Sequence, residues 1–199
     1  YSGFNVVNSD FKINILNLDS SNNEDAINFI DSNVKIVSVS AENIFSDAID
    51  SDYSSLKIDK INCKQVSNDC LDLSYSKAKI GIVKGINIKD KAISVGEASN
   101  VFIDEINVFE SEVGLAVKDS SKVFVDNINF SSAKFPVATY IKKPEFGSPF
   151  VTINSIKSQD LDNSLISNDS NVFINNLAFK GQLDSKVISN MLYILISLF

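Results

Sequence analysis

The sequence repeats itself about every 22 residues, and this period constrains the fold more than any other feature. One apolar position recurs at that spacing, and the residue two places later is usually apolar as well. The residue between them is mostly polar or small. Each block therefore predicts a short strand whose side chains point alternately into the core and out to solvent. The recurring apolar position is occupied by Ile27, Ile49, Leu71, Ile93, Leu115 and Val137.

Two more strand-like segments follow each of these blocks, as in Val34-Lys35-Ile36 and Ile61-Asn62-Cys63. Three short strands in about 22 residues form one coil of a parallel β-helix, whose coils stack about 4.8 Å apart. We therefore predict an all-β fold, a single-stranded parallel β-helix of about eight coils, which is right-handed because parallel crossovers almost always are. The β-helix would span residues 1–180, and the apolar segment 181–199 would cap the open end of its core.

Other architectures fit the chain less well. A leucine-rich repeat needs a regular Leu and Asn consensus with a helical half, and a propeller needs repeats of about forty residues or more. No long segment has the helical periodicity that a doubly wound α/β fold requires. The apolar run from Val187 to Phe199 is too short and too interrupted by polar residues to predict a membrane span.

The composition excludes several kinds of chemistry. The chain has no His, and all 18 cationic side chains are Lys, so it lacks an imidazole base or metal ligand and a bidentate Arg clamp. A net charge of −7 without a basic cluster argues against nucleic acid and anionic membrane surfaces as partners. We expect Cys63 and Cys70 to be buried thiols, with a bridge between neighbouring coils as the alternative. Because the chain opens at Tyr1 without an initiator Met, we expect a processed product or an excised fragment.

Carboxylates gather on one outward surface of the predicted coils. If Ile49 and Ser51 point inward, then Asp50 and Asp52 point outward, and equivalent positions in neighbouring coils extend the set. Adjacent carboxylates repel, so one of a pair tends to gain a proton or to recruit a cation. The resulting acidic patch consists of Asp47, Asp50, Asp52, Asp69 and Asp72, with Lys91, Glu97 and Lys118 on the same face.

The acidic patch allows two catalytic interpretations and a structural one. Asp50 and Asp72 would hold Ca²⁺, which prefers several carboxylate oxygens, while Lys91 or Lys118 would act as the base of a lyase. Alternatively, the Asp50 and Asp72 pair would hydrolyse a glycosidic bond. In the structural interpretation, Asp, Asn and Ser side chains bond turn amides and pair with the lysines. The candidate ligand-binding residues are Asp47, Asp52, Asp69, Glu97, Asp119, Tyr140, Lys142 and Lys143.

A second outward ladder, on the middle strand of each coil, changes from basic to aromatic along the chain. Its lysines are expected to form a solvated face that discourages lateral strand pairing. Its phenylalanines would be covered by the C-terminal segment, or would form a sugar-stacking platform or an oligomer contact. The ladder consists of Lys12, Lys35, Lys57 and Lys79, followed by Phe102, Phe124 and, after a gap at Thr152, Phe173.

A loop at residues 142–149 lengthens the sixth coil by about six residues and contains two of the three prolines. It leaves the strand Val137 to Tyr140, which lies on the same face as the acidic patch. Loops that project from a rigid solenoid often carry its specificity. The loop is therefore either a wall of a ligand site or a plain surface loop.

The run from about Ser46 to Gly147 resembles the right-handed β-helix repeat proteins of bacteria, which include pectate lyases, polygalacturonases and uncharacterised envelope proteins. The segments that carry the resemblance are SDAIDSD (46–52), NDCLDLS (68–74), DKAISVGEASNV (90–101), GLAVKDSS (114–121) and YIKKPEFG (140–147). They look most like the uncharacterised repeats. The resemblance implies a secreted or cell-envelope location.

The enzyme motifs of that class are largely missing. Asn68-Asp69-Cys70 matches only one polygalacturonase motif, with Asn in place of one Asp, and the Gly-His-Gly and Arg-Ile-Lys motifs are absent. The Arg base of pectate lyases is absent as well. The sequence therefore favours a non-catalytic extracytoplasmic scaffold that recognises carbohydrate or a protein partner. The alternatives are a Ca²⁺-dependent polysaccharide lyase or glycoside hydrolase at the acidic patch, or a rod segment of a surface adhesin or phage fibre.

Overall fold

The computed structural model describes residues 3–196. Within this range most residues lie in β-strands, and one short 3₁₀ helix and one α-helix, α1, lie near the C-terminus. The strands are β1 (Phe4–Val7), β2 (Asp10–Asp19), β3 (Asp25–Ile30), β4 (Asn33–Ile44), β5 (Asp47–Asp52), β6 (Ser55–Val66), β7 (Leu71–Ser74), β8 (Lys77–Gly96), β9 (Asn100–Lys118), β10 (Lys122–Phe130), β11 (Ala133–Tyr140), β12 (Phe150–Ser158), β13 (Leu165–Ile166), β14 (Asn171–Ile174) and β15 (Leu177–Phe179); the helices are Leu161–Asn163 and α1 (Ser185–Ile196).

The strands stack as the parallel coils of a β-helix of about eight turns, with about 22 residues in each coil. Ile27 pairs with Ile49, Ile49 with Leu71, and Leu71 with Ile93, so equivalent positions of the repeat form ladders along the axis. The predicted fold class is therefore confirmed. The register also confirms the longer sixth coil, because Phe124 pairs with Thr152, 28 positions later.

Each coil has three faces. The first face contains β3, β5, β7 and β11, the second contains the segment that begins β4, β6 and β10, and the third contains the segment that ends β4 and β6. Some strands continue around the corners between faces, and β8 follows nearly a whole coil where the sequence predicted three short strands. Left-handed backbone at the corners turns the chain sharply. The corner between the first and second faces carries such residues at Asn8, Asp31, Tyr53 and Tyr75, with φ between 47° and 54°.

The interior is filled by aliphatic side chains from all three faces. Ile49 on the first face, Ile58 on the second and Ile61 on the third are each fully buried. Each such side chain contributes about 1.5–3 kcal/mol through removal of its apolar surface from water. The alternating pattern of the repeat therefore forms one continuous core, and the outward ladders are displayed on a rigid support.

A ladder of buried serines runs beneath the corner between the first and second faces. The amide of each serine donates to the hydroxyl of the serine one coil further on, as Ser32 does to Ser54 at 2.9 Å and Ser54 to Ser76 at 3.0 Å. Each hydroxyl in turn donates to carbonyls near the end of a first-face strand, as Ser76 does to Ser74 at 2.9 Å. These bonds satisfy buried backbone groups that the sharp turn removes from the strand ladder.

Cys63 and Cys70 form a disulfide bond. Our expectation of two buried thiols is wrong, and the alternative of a bridge between neighbouring coils is the one found. Cys63 lies near the end of β6 and Cys70 directly precedes β7, so the bond spans the corner at which the third coil passes into the fourth. Both side chains remain buried, which fits their apolar positions in the repeat.

The last part of the described chain covers a side of the β-helix. Ile188 and Leu192 of α1 pack against Ala116, Ala138 and Tyr140, which belong to the first face. The sequence predicted that segment 181–199 would cap the end of the core, whereas these contacts are with a lateral face; residues 197–199 lie outside the described range. No helix in the described part of the chain is long and apolar enough to cross a membrane.

Candidate functional site

The acidic patch lies on the first face, on the third and fourth coils. Asn28 pairs with Asp50, Asp50 with Asp72, and Asp72 with Ser94, so the predicted outward ladder is present. Asp25 pairs with Asp47 at the entry to the same face. The first face thus displays closely spaced carboxylates on its N-terminal half and is covered by α1 on its C-terminal half.

Asp50 is hydrogen-bonded on both oxygens. The Asn28 side chain donates to Oδ2 at 2.8 Å, and the Ser51 amide donates to Oδ1 at 2.8 Å. Burial, together with the charges of Asp52 and Asp72, raises the pKa of Asp50 to about 8. Burial likewise raises the pKa of Asp47 to about 7. The patch therefore retains protons at neutral pH and is less negative than its composition indicates.

Lys91 lies buried between two carboxylates on the fifth coil. Its Nζ is 3.4 Å from an oxygen of Asp69 and forms a closer ion pair with Asp90. Burial disfavours the ammonium, but the charges of Asp69 and Asp90 outweigh burial and raise the pKa of Lys91 above its usual range. The Lys91 ammonium thus faces the carboxylates of both Asp69 and Asp90. Asp69 is the more distant of the two, and burial raises its pKa.

Lys118 lies one coil further on and is also buried. Its Nζ donates to the Ser94 hydroxyl at 2.9 Å. Burial lowers the pKa of Lys118, but the surrounding negative charges, chiefly that of Asp72, together outweigh burial and the net pKa is raised. A general base must release its proton near neutral pH. The raised pKa values of Lys91 and Lys118 therefore do not favour the predicted lyase chemistry, which stays a prediction.

The loop at 142–149 is attached to the first face by hydrogen bonds. Asp119 accepts from the backbone amides of Lys142 and Lys143 at 2.7 and 2.9 Å. Lys143 Nζ lies 2.7 Å from Glu97, whose other oxygen accepts from the Ser74 hydroxyl at 2.7 Å. Burial raises the pKa of Glu97, but Lys143 and Ser74 outweigh it, and the net pKa is lowered. The predicted ligand residue Asp119 therefore organises the loop, and Glu97 is an ionised carboxylate at the patch edge.

Helix α1 encloses another predicted ligand residue. Tyr140 is fully buried beneath the helix, and burial raises the pKa of its phenol. Lys142 lies over the ring of Tyr193, 4.5 Å from the ring centroid. Tyr140 is thus inaccessible in this conformation, and Lys142 holds α1 through a cation–π contact.

Residues 3–196 contain no group of three or more His, Cys, Asp or Glu side chains arranged to hold a metal ion. Asp50 and Asp72 are cross-coil neighbours, yet the oxygens of Asp50 already accept hydrogen bonds. The geometry thus gives no support to the predicted Ca²⁺ site at this pair.

Two stacked tyrosines stand at the corner between the first and second faces. The rings of Tyr53 and Tyr75 are nearly parallel, at 5°, with centroids 4.5 Å apart. Their side chains are exposed, Tyr53 at 61% and Tyr75 at 42%. The ring of Phe146, from the loop, lies 6.0 Å from that of Tyr75. We name these three residues the aromatic platform.

The aromatic platform was not among the sites predicted from the sequence. Its only signal was the pair of tyrosines 22 positions apart, each directly before a ladder serine. Bulky residues rarely adopt positive φ, and the equivalent positions in the first two coils are Asn8 and Asp31. The placement of Tyr53 and Tyr75 is therefore not what the turn itself prefers.

A polar groove of about 470 Å³ adjoins the aromatic platform on the side of the second face. Asp31, Asn33 and Lys77 contribute polar side chains to it, and Tyr53 and Tyr75 form one wall. On the other side of the platform, Asp52 and Glu97 belong to the first face. The rings thus stand between two surfaces that can donate and accept hydrogen bonds.

No known protein family matches the chain, and no curated protein or solved structure matches it either. The parallel β-helix is shown by the strand geometry alone.

Proposed function

We propose that the chain is a recognition domain of extracytoplasmic type, in which the β-helix is a rigid scaffold that binds carbohydrate at the aromatic platform. The observation that carries the proposal is the exposed, parallel stack of Tyr53 on Tyr75. Aromatic rings with one open side bind the apolar C–H face of a sugar ring, and the phenol hydroxyl remains available to bond water or ligand.

The surroundings of the aromatic platform supply the polar half of such a site. Sugars carry hydroxyls around their rims, so a binding site needs a few well-placed hydrogen-bonding groups beside an apolar surface. Glu97 and Lys143 lie on one side of Tyr75, and Lys77 lies on the other. These groups are fixed by the coils and by the loop, which reduces the entropy lost on binding.

The rigid spacing of the coils also suits a linear ligand. Equivalent side chains of neighbouring coils lie about 4.8 Å apart, which is similar to the length of one sugar unit in an extended chain. Because Tyr53 and Tyr75 cover each other's facing sides, one sugar unit would stack on an outer face of the pair and the next units would follow the coils.

The disulfide bond supports the extracytoplasmic part of the proposal. Stable disulfides form mainly in oxidising compartments, and Cys63 is bonded to Cys70.

Glycan binding by the wild-type chain and by a Tyr53→Asn/Tyr75→Asn variant tests the proposal. Asn removes the rings but keeps the corner, because it adopts positive φ readily and occupies the equivalent position at Asn8. We expect the variant to lose at least tenfold in affinity for any oligosaccharide that the wild type binds, measured by calorimetry. A Phe45→Ala/Phe109→Ala variant, which removes two exposed rings elsewhere, is the control. Equal loss in both variants, or no binding by the wild type across a broad panel, contradicts the proposal.

A second candidate function, glycoside hydrolysis, rests on the raised pKa of Asp50, about 8. A protonated carboxyl beside a second carboxyl, here Asp72, is what a glycosidase needs. Release of reducing sugar from a polysaccharide panel, abolished by Asp50→Asn, tests it. Hydrolysis that survives this substitution, or no hydrolysis at all, rejects it.

A further inference from the structure

The second face carries a column of outward side chains that is basic in its first half and aromatic in its second. The pairing register places these side chains in one line: Lys12, Lys35, Lys57 and Lys79, then Phe102, Phe124, Thr152 and Phe173. The predicted ladder is therefore present, and the gap at Thr152 is filled from the side by Phe150, whose ring lies 5.9 Å from Phe124 and 5.7 Å from Phe173. We name this line and the adjacent outward line through Lys77, Lys122 and Phe150 the Lys–Phe face.

The charge of the Lys–Phe face is opposite to that of the chain. Its two lines contain six lysines and one acidic residue, Asp10, whereas the whole chain has a net charge of −7. None of these six lysines forms a salt bridge within the described residues. The net charge argued against anionic surfaces, but the fold separates the charges and makes these two lines positive, with Asp59 and Asp104 in the groove beside Lys57 and Lys79 on their other side.

The aromatic half of the face is partly open to solvent. Phe102 is 50% exposed and its ring stacks on that of Phe124, with centroids 5.0 Å apart. We expected the C-terminal segment to cover these rings, but as far as residue 196 it lies elsewhere. The buried side chains of α1 pack against Ala116 and Ala138 of the first face instead.

We propose that the Lys–Phe face docks on an anionic lipid bilayer. A bilayer surface offers both things that the face lacks, namely negative headgroups for the lysines and an apolar layer for the rings. Both halves belong to one straight line of β-helix coils, so a plane can contact them together. The acidic patch lies on another face, and the aromatic platform lies at the corner beside the Lys–Phe face, with Lys77 bordering both surfaces.

Two other occupants fit less well. A soluble linear polyanion would neutralise Lys35, Lys57 and Lys79, but it offers nothing apolar to Phe102 and Phe124. A second copy that paired its own Lys–Phe face with this one would bring unpaired lysines together or place them opposite phenylalanines. The bilayer accounts for both halves of the face.

Partitioning onto vesicles tests the proposal. Wild-type protein is sedimented with vesicles of phosphatidylglycerol and phosphatidylcholine, and with vesicles of phosphatidylcholine alone. We expect binding to the anionic vesicles only, weakened by salt. Lys57→Glu/Lys79→Glu should lower the partition coefficient about tenfold or more, because each basic residue near such a surface contributes about fivefold. Phe102→Ser/Phe124→Ser should lower it severalfold.

Matched variants separate the face from total charge and hydrophobicity. Lys60→Glu/Lys84→Glu changes the net charge equally on the third face, where both lysines are exposed, and should retain most of the binding. Circular dichroism checks that each variant is folded. No preference for anionic vesicles, or equal loss in the third-face variant, overturns the proposal. The proposal is also overturned if the protein binds soluble polyphosphate as tightly as it binds vesicles and the Phe102→Ser/Phe124→Ser variant binds polyphosphate equally well. It is likewise overturned if the protein forms an oligomer without lipid and this variant dissociates that oligomer.

Discussion

Ser76 illustrates how much of this fold depends on single hydroxyls at its corners. Its hydroxyl accepts from the Ser54 amide at 3.0 Å and donates to carbonyls of Ser51 and Ser74. Ser76→Ala leaves the Ser54 amide without its partner in a buried site, so we expect the free energy of unfolding to fall by about 1–3 kcal/mol. Urea denaturation measures this. Ser55→Ala, at an exposed position beside the ladder, should change the stability by less than about 0.5 kcal/mol; equal losses would show that the ladder has no special role.

The protonation of Asp50 predicts how stability depends on pH. In the unfolded chain its pKa is near the ordinary 3.8, whereas in the folded protein the pKa is about 8. The stabilising effect of this raised pKa is complete below about pH 4 and is lost as the pH rises to about 8. Asn stays neutral at every pH. The free energy of unfolding of Asp50→Asn should therefore rise, relative to that of the wild type, by roughly 1–3 kcal/mol between about pH 5 and pH 8. Urea denaturation of both proteins at these two pH values tests this, and a difference in stability that is the same at both contradicts it.

The aromatic platform shows where residue-level sequence reasoning fails. Tyr53 and Tyr75 occupy a turn position that usually favours Asn, Asp or Gly, and an isolated Tyr there resembles ordinary surface variation. Only the register of the coils places the two rings 4.5 Å apart, and only the loop brings Phe146 to them. The inward and outward assignment of Asp50 and Asp72, by contrast, followed directly from the alternation along the strand.

Among the elements, the corner closed by the disulfide has a measurable effect on stability. Cys63 and Cys70 are seven positions apart, and a loop of that size is expected to contribute about 2 kcal/mol by restricting the unfolded chain. Cys63→Ser/Cys70→Ser should therefore unfold at lower urea concentration while retaining the β-sheet circular dichroism. Reduction of the wild type with dithiothreitol should reproduce the shift. If neither treatment lowers the midpoint, the bond does not stabilise the fold.

Helix α1 is held by few side chains, so its docking is open to a direct test. Ile188 is fully buried against the first face. Ile188→Ala should cost about 2–5 kcal/mol of docking energy and increase amide hydrogen exchange in α1 and at Tyr140. Val187→Ala, at a position that is 46% exposed, is the matched control and should leave exchange unchanged. Protection that survives Ile188→Ala would mean that other contacts hold the helix.

The elements were predictable to different degrees. The repeat predicted the stacking, because every coil pairs only with its neighbours and the apolar positions alternate strictly. It did not predict where α1 packs, because an apolar segment covers any available apolar surface, and the outward Ala116 and Ala138 of the first face are inconspicuous in the sequence. It also did not decide between a disulfide and free thiols at the two cysteines, because a seven-residue separation reaches across a corner only when the turn is this tight.

At the scale of the whole molecule, a solenoid should tolerate the loss of one complete coil. Deletion of residues 57–78 joins Leu56 to Lys79, the residue that pairs with Lys57, and removes both cysteines together. Because each coil contacts only its neighbours, the shortened chain should remain folded with a lower melting temperature. Deletion of residues 57–67 breaks the register and should abolish cooperative unfolding. A folded half-coil deletion, or an unfolded whole-coil deletion, would contradict the nearest-neighbour description.

The β-helix brings together three surfaces that the sequence leaves far apart: the acidic patch, the aromatic platform and the Lys–Phe face. A rod with a carbohydrate site at one corner and a cationic, aromatic face beside it would be suited to work at an envelope surface. The carbohydrate site is the central claim, and it is tested most directly by a crystal structure determined with an oligosaccharide selected from the binding panel. We predict electron density for a sugar ring stacked on Tyr53 or Tyr75, with a hydroxyl within hydrogen-bond distance of Glu97, Lys143 or Lys77. Density for the sugar elsewhere, with both tyrosine rings bare, would contradict the account.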